Sequence, residues 1–305
     1  MELTVTALQE KLEQQGYICD SELATTVFLA LKLEKPLLVE GAPGVGKTEI
    51  AKVLSRAFGL KLIRLQCYEG LDENKALYEW NYQRQLLKIQ ILKDREGADF
   101  IEKDLFSEDY LLERPLLKAI RAEQRPVLLI DECDKVDEPF EAFLFEILSD
   151  FQVSVPELGT LQARNIPIVV LTSNGEREIS DGLKRRCIYL YINYPSVEKE
   201  VRILRTKVPE AGEQLSLQVA RAVGFIRSNL ELIKQPSISE TIDWARALVT
   251  LSIDSLNEKV LEQTISVLLK NNDDIRNLQK TGLGNIINAA RGAGEKTGGS
   301  CHCNH

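Results

Sequence analysis

Residues 41–48 read Gly41-Ala-Pro-Gly-Val-Gly-Lys-Thr48, and this run decides the fold. It fits the phosphate-loop pattern G-x-x-x-x-G-K-[ST]. Gly41, Gly44 and Gly46 let the backbone curl until successive N–H groups point at one anion. Lys47 brings positive charge to the outer phosphates of a nucleotide, and Thr48 offers a hydroxyl to Mg2+. Upstream, Lys35-Pro-Leu-Leu-Val-Glu40 predicts a short apolar strand. Downstream, Ile50, Val53, Leu54 and Phe58 fall on one helical face, which Gly59 ends. A strand, a glycine-rich loop and a helix start put the positive end of a helix dipole at the phosphates. The expected nucleotide-binding set is Gly41, Ala42, Pro43, Gly44, Val45, Gly46, Lys47, Thr48 and Glu49.

A second nucleotide signature lies downstream. Val127-Leu-Leu-Ile130 is an apolar run of the kind a buried parallel strand needs, and it ends in Asp131-Glu132. The C-terminal ends of such strands face the ligand crevice. Asp131 there is expected to hold Mg2+, mostly through water, and Glu132 to polarise the attacking water. Ile166-Pro-Ile-Val-Val-Leu171 is another buried strand, ending in Thr172-Ser-Asn174. An amide at that tip can position a water near the γ-phosphate.

Between and around these strands the pattern alternates. Residues 1–33 read as mostly helical and residues 61–65 as a strand. Residues 73–93 carry aromatic and charged side chains at helix-like spacing, residues 94–110 read as a polar loop, and Leu111–Glu123 reads as a helix. Asp137 is a good N-cap with Pro139 in the first turn. Phe140, Phe143, Leu144, Ile147 and Leu148 behind it make an apolar face expected in the core. Residues 151–163 read as a hairpin turning at Pro156-Glu-Leu-Gly159. Asp181–Cys187 predicts a short helix and Ile188–Ile192 a closing strand. Pro195-Ser196 then opens a helical region to about residue 291, in which Ser237-Ile-Ser-Glu240 is a capping box.

The chain has 305 residues, 44% of them apolar and 28% charged, with a net charge of −8. Its length allows about two domains. The acidic balance disfavours nucleic acid, although a local basic strip remains compatible with it. No run approaches the length of a membrane span. Met1-Glu-Leu-Thr-Val-Thr lacks the parts of a signal peptide, so the expected location is cytoplasmic. Cys19, Cys67, Cys133 and Cys187 read as small buried hydrophobes. Cys301-His-Cys-Asn-His305 comes after a glycine-rich stretch and reads as a flexible tail. Its thiols and imidazoles are soft metal ligands, but five adjacent residues do not easily wrap one tetrahedral ion.

The ordered set of phosphate loop, Leu128-Leu-Ile-Asp-Glu132, Leu171-Thr-Ser-Asn174 and Lys184-Arg-Arg-Cys187, with helices after residue 195, resembles the AAA+ ATPases. The hairpin before the Asn174 strand and the aromatic segment Tyr78-Glu-Trp-Asn-Tyr82 resemble the MoxR branch. Leu65-Gln-Cys-Tyr-Glu-Gly-Leu-Asp72, Ala76-Leu-Tyr-Glu-Trp80 and Pro156-Glu-Leu-Gly159 look most like its CoxD-type members. That group is associated with maturation of molybdenum hydroxylases such as carbon monoxide dehydrogenase. The resemblance implies a three-layer αβα core with a parallel sheet (residues 1–195), an all-helical lid (196–291) and a tail (292–305). It implies an ATPase using ATP and Mg2+, with Lys47 and Thr48 on the phosphates and metal and Asp131 supporting the metal. Glu132 would be the catalytic carboxylate and Asn174 the first sensor. Arg185 or Arg186 would be an arginine finger acting on a neighbour's nucleotide, which requires a homo-oligomeric ring, typically a hexamer. The implied partners are a protein with a von Willebrand factor A domain and a metalloenzyme client remodelled or matured by the motor.

One departure stands out. AAA+ lids often begin a helix with a second-sensor arginine, whereas here that start is Ser237-Ile-Ser-Glu240. Arg246 lies further along, roughly 9 Å from Glu240 at about 1.5 Å per residue. A nucleotide-gated scaffold with little hydrolysis is therefore one alternative. A nucleic-acid-dependent AAA+ motor is another, against which the net charge argues.

Overall fold

A computed structural model of the chain describes residues 3–92, 107–155 and 159–292. The chain divides into two compact units, one formed by the chain up to Gly41 with Lys47–Ile192, the other by Ala42–Gly46 with the chain from Asn193 on.

The first unit opens with helices α1 (Val5–Gln14) and α2 (Ser21–Lys32), capped by the side chains of Thr4 and Asp20. The helical stretch expected over residues 1–33 is thus two helices, broken where Gly16 takes a positive φ of 72°. The sheet has five parallel strands: β1 (Leu37–Gly41), β2 (Leu62–Gln66), β5 (Val127–Asp131), β8 (Ile168–Ser173) and β9 (Ile188–Ile192). Their order is β2-β5-β8-β1-β9. Every residue of β5 and β8, two of the three inner strands, is buried, which is why their sequences are unbroken apolar runs until the tips. Helix α3 (Lys47–Phe58) comes after β1 and buries Ile50, Val53 and Leu54. Parallel strands bring Gly41, Gln66, Asp131 and Ser173 to one edge of the sheet.

The segment between β2 and β5 departs from the sequence pattern. Residues 73–93 are not one helix. They form a single helical turn, α4 (Glu73–Ala76), a short strand β3 (Tyr78–Trp80) and helix α5 (Tyr82–Leu92). Leu111–Glu123 likewise begins as strand β4 (Leu111–Glu113), which precedes α6 (Pro115–Ile120). β3 and β4 pair antiparallel, Tyr78 opposite Glu113 and Trp80 opposite Leu111. Pro115 explains the break, because the residue before a proline is pushed into extended backbone. Residues 94–106, most of the expected polar loop, lie outside the described residues.

Helix α7 (Glu138–Asp150) is capped by Asp137, whose side chain accepts from the Phe140 N–H. It buries Phe140, Leu144, Ile147 and Leu148 in the core cluster, with Phe143 packed against that cluster. The hairpin of β6 (Gln152–Val155) and β7 (Gly159–Gln162) comes next, its expected turn at 156–158 lying outside the described residues. Helix α8 (Asp181–Arg186) leads into β9.

The second unit is helical: α9 (Val197–Lys207), α10 (Gly212–Asn229), α11 (Ile238–Thr250), α12 (Glu258–Leu268), α13 (Asn272–Thr281) and α14 (Leu283–Arg291). Trp244 of α11 is fully buried in one core cluster with Val219, Val223, Leu261 and Ile265, and its indole N–H donates to Thr264 Oγ1 at 2.8 Å. Ser237 and Glu240 make the expected capping box. The Cys301–His305 tail lies outside the described residues. Among the described residues no helix is long and apolar enough to cross a membrane.

A buried ion pair sets the entry to α11. Arg227 of α10 donates twice to Glu200 of α9, at 2.8 and 3.0 Å, and its Nε donates to the Pro236 carbonyl at 2.8 Å. Both side chains are almost wholly buried. Arg227→Ala leaves the Glu200 charge buried without its partner. It is expected to destabilise the fold by about 3 kcal/mol or more, read from urea unfolding followed by circular dichroism.

Candidate functional site: a carboxylate pair at the phosphate loop

Lys47 opens α3 and is buried despite its charge. Its ammonium donates to the Gly41 carbonyl at 2.7 Å and to Asn174 Oδ1 at 2.8 Å. Burial lowers the Lys47 pKa from its usual value, against the opposing pull of Asp134, Asp131, Glu132 and Glu40. Thr48 Oγ1 donates to Asp131 Oδ1 at 2.9 Å, and Thr172 Oγ1 donates to the same oxygen at 2.6 Å. Asp131 is itself 3% exposed. The phosphate-loop lysine and its threonine thus each hold a strand tip, Asn174 beyond β8 and Asp131 on β5.

Glu132 takes the left-handed backbone conformation, with φ 58°. This is a sparsely populated region for a residue with a side chain, and such strain collects at functional sites. The turn sends the chain away from β5 and leaves the Glu132 side chain about a third exposed. Its backbone N–H donates to Thr172 Oγ1 at 2.9 Å. Its Oε2 accepts from Gln66 Nε2 at 3.1 Å and pairs with Lys135 Nζ at 2.7 Å. That hydrogen bond and charge raise the Lys135 pKa above its usual value.

Asp134 Oδ2 accepts the backbone N–H groups of Asn174 and Glu176, both at 3.0 Å. Glu141, on α7, accepts from the Ser180 N–H at 3.0 Å and pairs with Arg177. The loop from Asn174 to α8 is thus pinned by two buried carboxylates. At the end of α8 the two candidate arginines differ. The Arg186 guanidinium lies 3.4 Å over the Phe145 ring, and its Nε donates to Ser149 Oγ at 2.5 Å. Arg185 is exposed and makes no hydrogen bond or ion pair with the described residues.

Ala42–Gly46 belongs to the second unit. Within it Gly44 has φ +74°, and a Cβ there would come within 2.3 Å of Ser237 Oγ, so only glycine fits. Ser239 Oγ lies 3.4 Å from the Gly44 carbonyl. Arg246 is exposed and pairs with Asp243 at 3.6 Å. Glu49 pairs with Arg56 at 2.7 Å.

The sequence reading missed Arg64, Gln66, Thr172 as a carboxylate partner, Asp134 and Lys135. For the first two the sequence signals only the strand face they share. Leu62-Ile-Arg-Leu-Gln66 alternates, with Ile63 and Leu65 buried and Arg64 and Gln66 on the opposite face. Arg64 on that face is half exposed, and it is the sheet order that brings it to Asp131. A cavity of about 680 Å3 opens at the other end of the sheet, lined by Lys61, Lys118, Arg121 and Arg164. None of the phosphate-loop residues lines it.

An open parallel sheet, a phosphate loop and a paired carboxylate at the tip of the second strand from the edge make an AAA+ fold. Residues 36–187 match the family described as AAA domain (dynein-related subfamily). That match spans just under half of the chain, and the domain it describes is one that binds nucleotide. Curated relatives include an uncharacterised protein of Staphylococcus epidermidis, 24% identical over 229 residues, covering 72% of this chain and 78% of that one. A second, from Staphylococcus haemolyticus, is 24% identical over 241 residues, covering 76% and 82%. Among solved structures the chain is similar to the RuvB Holliday junction branch migration motor of Thermotoga maritima. That match has 18% identity, covers 88% of this chain and 71% of that one, and has a TM-score of 0.44.

Three thiols of the first unit are held in the neutral form. Burial pushes Cys67 and Cys187 up to about 12, and Cys133 well above its usual value. At pH 8 a thiol with a pKa of about 12 is thiolate in roughly one molecule in ten thousand. An aromatic disulfide reagent at pH 8 is therefore expected to leave these three cysteines unmodified in the folded protein and to label them all in denaturant, as read by peptide mass spectrometry.

Proposed function

We propose that the protein hydrolyses ATP in an assembled ring and uses the cycle to remodel or mature a client protein. The observation that carries this is the convergence of Lys47, Thr48, Asp131, Asn174 and Glu132 at one end of the sheet. In this reading the backbone of Gly41–Gly46 and the Lys47 ammonium hold the phosphates. Thr48 and Asp131 supply hard oxygen donors 2.9 Å apart, which suits Mg2+, an ion that keeps several waters and takes few protein ligands. Bound there, Mg2+ would neutralise phosphate charge. Glu132 is the base that orients and deprotonates the attacking water, once it is released from Gln66 and Lys135. Asn174 holds Lys47 from the sensor position, its backbone fixed by Asp134. Arg185 is the finger presented to a neighbour's nucleotide, since its guanidinium is uncommitted among the described residues while that of Arg186 is stacked and hydrogen-bonded.

The client end of the proposal rests on the insert between β2 and β5. Tyr82, Leu86, Leu87 and Leu112 expose large apolar surfaces there. Together with the β6–β7 hairpin they are the surfaces on which a client or partner would be gripped. In line with the MoxR-type resemblance, the partner is a protein with a von Willebrand factor A domain. The client is a metalloenzyme, such as a molybdenum hydroxylase of the carbon monoxide dehydrogenase kind.

Steady-state ATPase measured across protein concentration tests the core of this. The rate per subunit should rise with concentration, and Glu132→Gln should bind nucleotide but turn over at least about 100-fold more slowly. A concentration-independent rate would sink the ring. No turnover by the wild type, alone or with the partner, would sink the ATPase in favour of a nucleotide-gated scaffold.

A second assay separates the arginines. Arg185→Ala should cut turnover at least about 100-fold with nucleotide affinity unchanged, because a finger contributes only to the transition state. Arg186→Ala should instead lower the melting temperature and retain most turnover. The reverse pattern would assign the finger to Arg186.

A further inference from the structure

Asp131 is a buried carboxylate, and such a charge persists only if its oxygens are satisfied. Oδ1 is used by the hydroxyls of Thr48 and Thr172. Oδ2 accepts from Arg64 Nη2 at 2.5 Å. We propose that Arg64 is a counter-ion built into the chain that competes with Mg2+ for Asp131, and so sets how strongly nucleotide binding depends on the metal. The proposal rests on the reading of this end of the sheet as a nucleotide site.

The geometry of β2 makes the competition direct. β2 is the edge strand beside β5, with Gln66 opposite Asp131 in register. Arg64 stands two residues earlier on the same face, so its side chain runs along the strand to reach Oδ2. Its guanidinium also donates to Gln66 Oε1, and Gln66 in turn donates to Glu132. One side chain thereby neutralises the metal-side acid and braces the amide that holds the base-side acid. The two ends of this pair differ in exposure, with the Asp131 side chain 4% exposed and that of Arg64 51%. The carboxylate cannot move away, whereas the arginine can swing into solvent.

A divalent ion, or the water it carries, that approaches Oδ2 meets a monovalent cation already hydrogen-bonded there. Whatever stabilises the Arg64–Asp131 pair is subtracted from the metal's gain at the same oxygen, by linkage. For an ion pair with one half-exposed member that gain is small, equivalent to about fivefold in affinity. The consequence is specific. Arg64 should weaken the contribution of the metal to nucleotide binding and leave metal-free nucleotide binding nearly unaltered. A purely structural role would lower stability and leave the metal dependence unchanged.

The test uses the full chain and a fluorescent ATP analogue titrated in Mg2+ and in EDTA. Wild type, Lys47→Ala, Arg64→Gln and Arg64→Lys are compared. The quantity read is the ratio of the EDTA dissociation constant to the Mg2+ one. Arg64→Gln should raise that ratio about fivefold, and Arg64→Lys, which keeps the charge, should lie nearer wild type. A second readout needs no nucleotide: Mg2+ alone should raise the melting temperature of Arg64→Gln more than that of wild type. A ratio unchanged or lowered in Arg64→Gln would overturn the proposal, since Arg64 would then be a spectator or an aid to the metal. If wild type bound the analogue no better than Lys47→Ala, the site reading itself would fail. The Mg2+ melting comparison would then decide the role of Arg64 alone.

Discussion

The charge on Asp131, held almost out of water at the tip of β5, is the constraint around which the core is arranged. A carboxylate so placed needs donors, and the fold brings them from three other elements: Thr48 of α3, Thr172 of β8 and Arg64 of β2. Its own carbonyl accepts from the Cys67 N–H just beyond β2. The donors from β8 and β2 are useful only if those strands are in the observed register, because a slip of one residue turns every side chain of a strand to the other face. The pairing of Gln66 with Asp131 and of Ile130 with Leu171 therefore does more than close ladder hydrogen bonds. It decides whether the buried charge is satisfied. The apolar bodies of β5 and β8 would pack in either register, and the polar tips discriminate between them.

From this centre the order propagates to the loops. Asp134, three residues after Asp131, takes two backbone N–H groups of the loop after β8, and Glu141 takes a third further along it. Carboxylates that accept from backbone N–H groups make charge-assisted bonds, stronger than neutral ones. The loop that carries Asn174 and leads to Arg185 is thereby fixed by residues from the segment directly after β5. A change at the carboxylate pair has a short, stiff route to the loop before α8, through atoms already in contact. Asn174 closes the circuit by accepting from Lys47.

What the sequence made legible was whatever repeats locally. β1, β5 and β8 appear as apolar runs with chemical tips. The phosphate loop appears as a pattern, and α7 appears through Asp137, Pro139 and its apolar face. The paired strands β3 and β4 did not appear, for a physical reason. Each is three residues long, too short to show an alternation, and the partners are separated by the whole of α5 and the stretch of chain beyond it. The helix-like spacing of residues 73–93 is real in α5 but was extended back across Tyr78–Trp80, whose conformation is fixed by a distant neighbour. The partners of the carboxylates were hidden for a related reason. Arg64 and Lys135 look like ordinary surface cations until the sheet order places one beside Asp131 and the turn after Glu132 places the other beside Glu132.

The insert also inverts the usual sorting of side chains. On α5 Gln85 is 5% exposed, while the next two residues, Leu86 and Leu87, are 59% and 60% exposed, with Tyr82 at 61%. A helix that packed only to stabilise its own domain would bury the leucines and leave the glutamine in water. Single exposed apolar residues are common on any protein and carry little meaning. A helix face composed of them, in a segment rooted in the core through a two-stranded ribbon, is a different matter, because contiguous exposed apolar surface marks interaction sites. The ribbon is itself anchored, with Trp80, Tyr110 and Leu111 in the core cluster and the Arg114 N–H donating to the Leu77 carbonyl. The combination is a firmly rooted stem that carries an apolar face outward. On the proposed reading, a partner gripped by the leucines would be tied through that stem to the edge of the sheet.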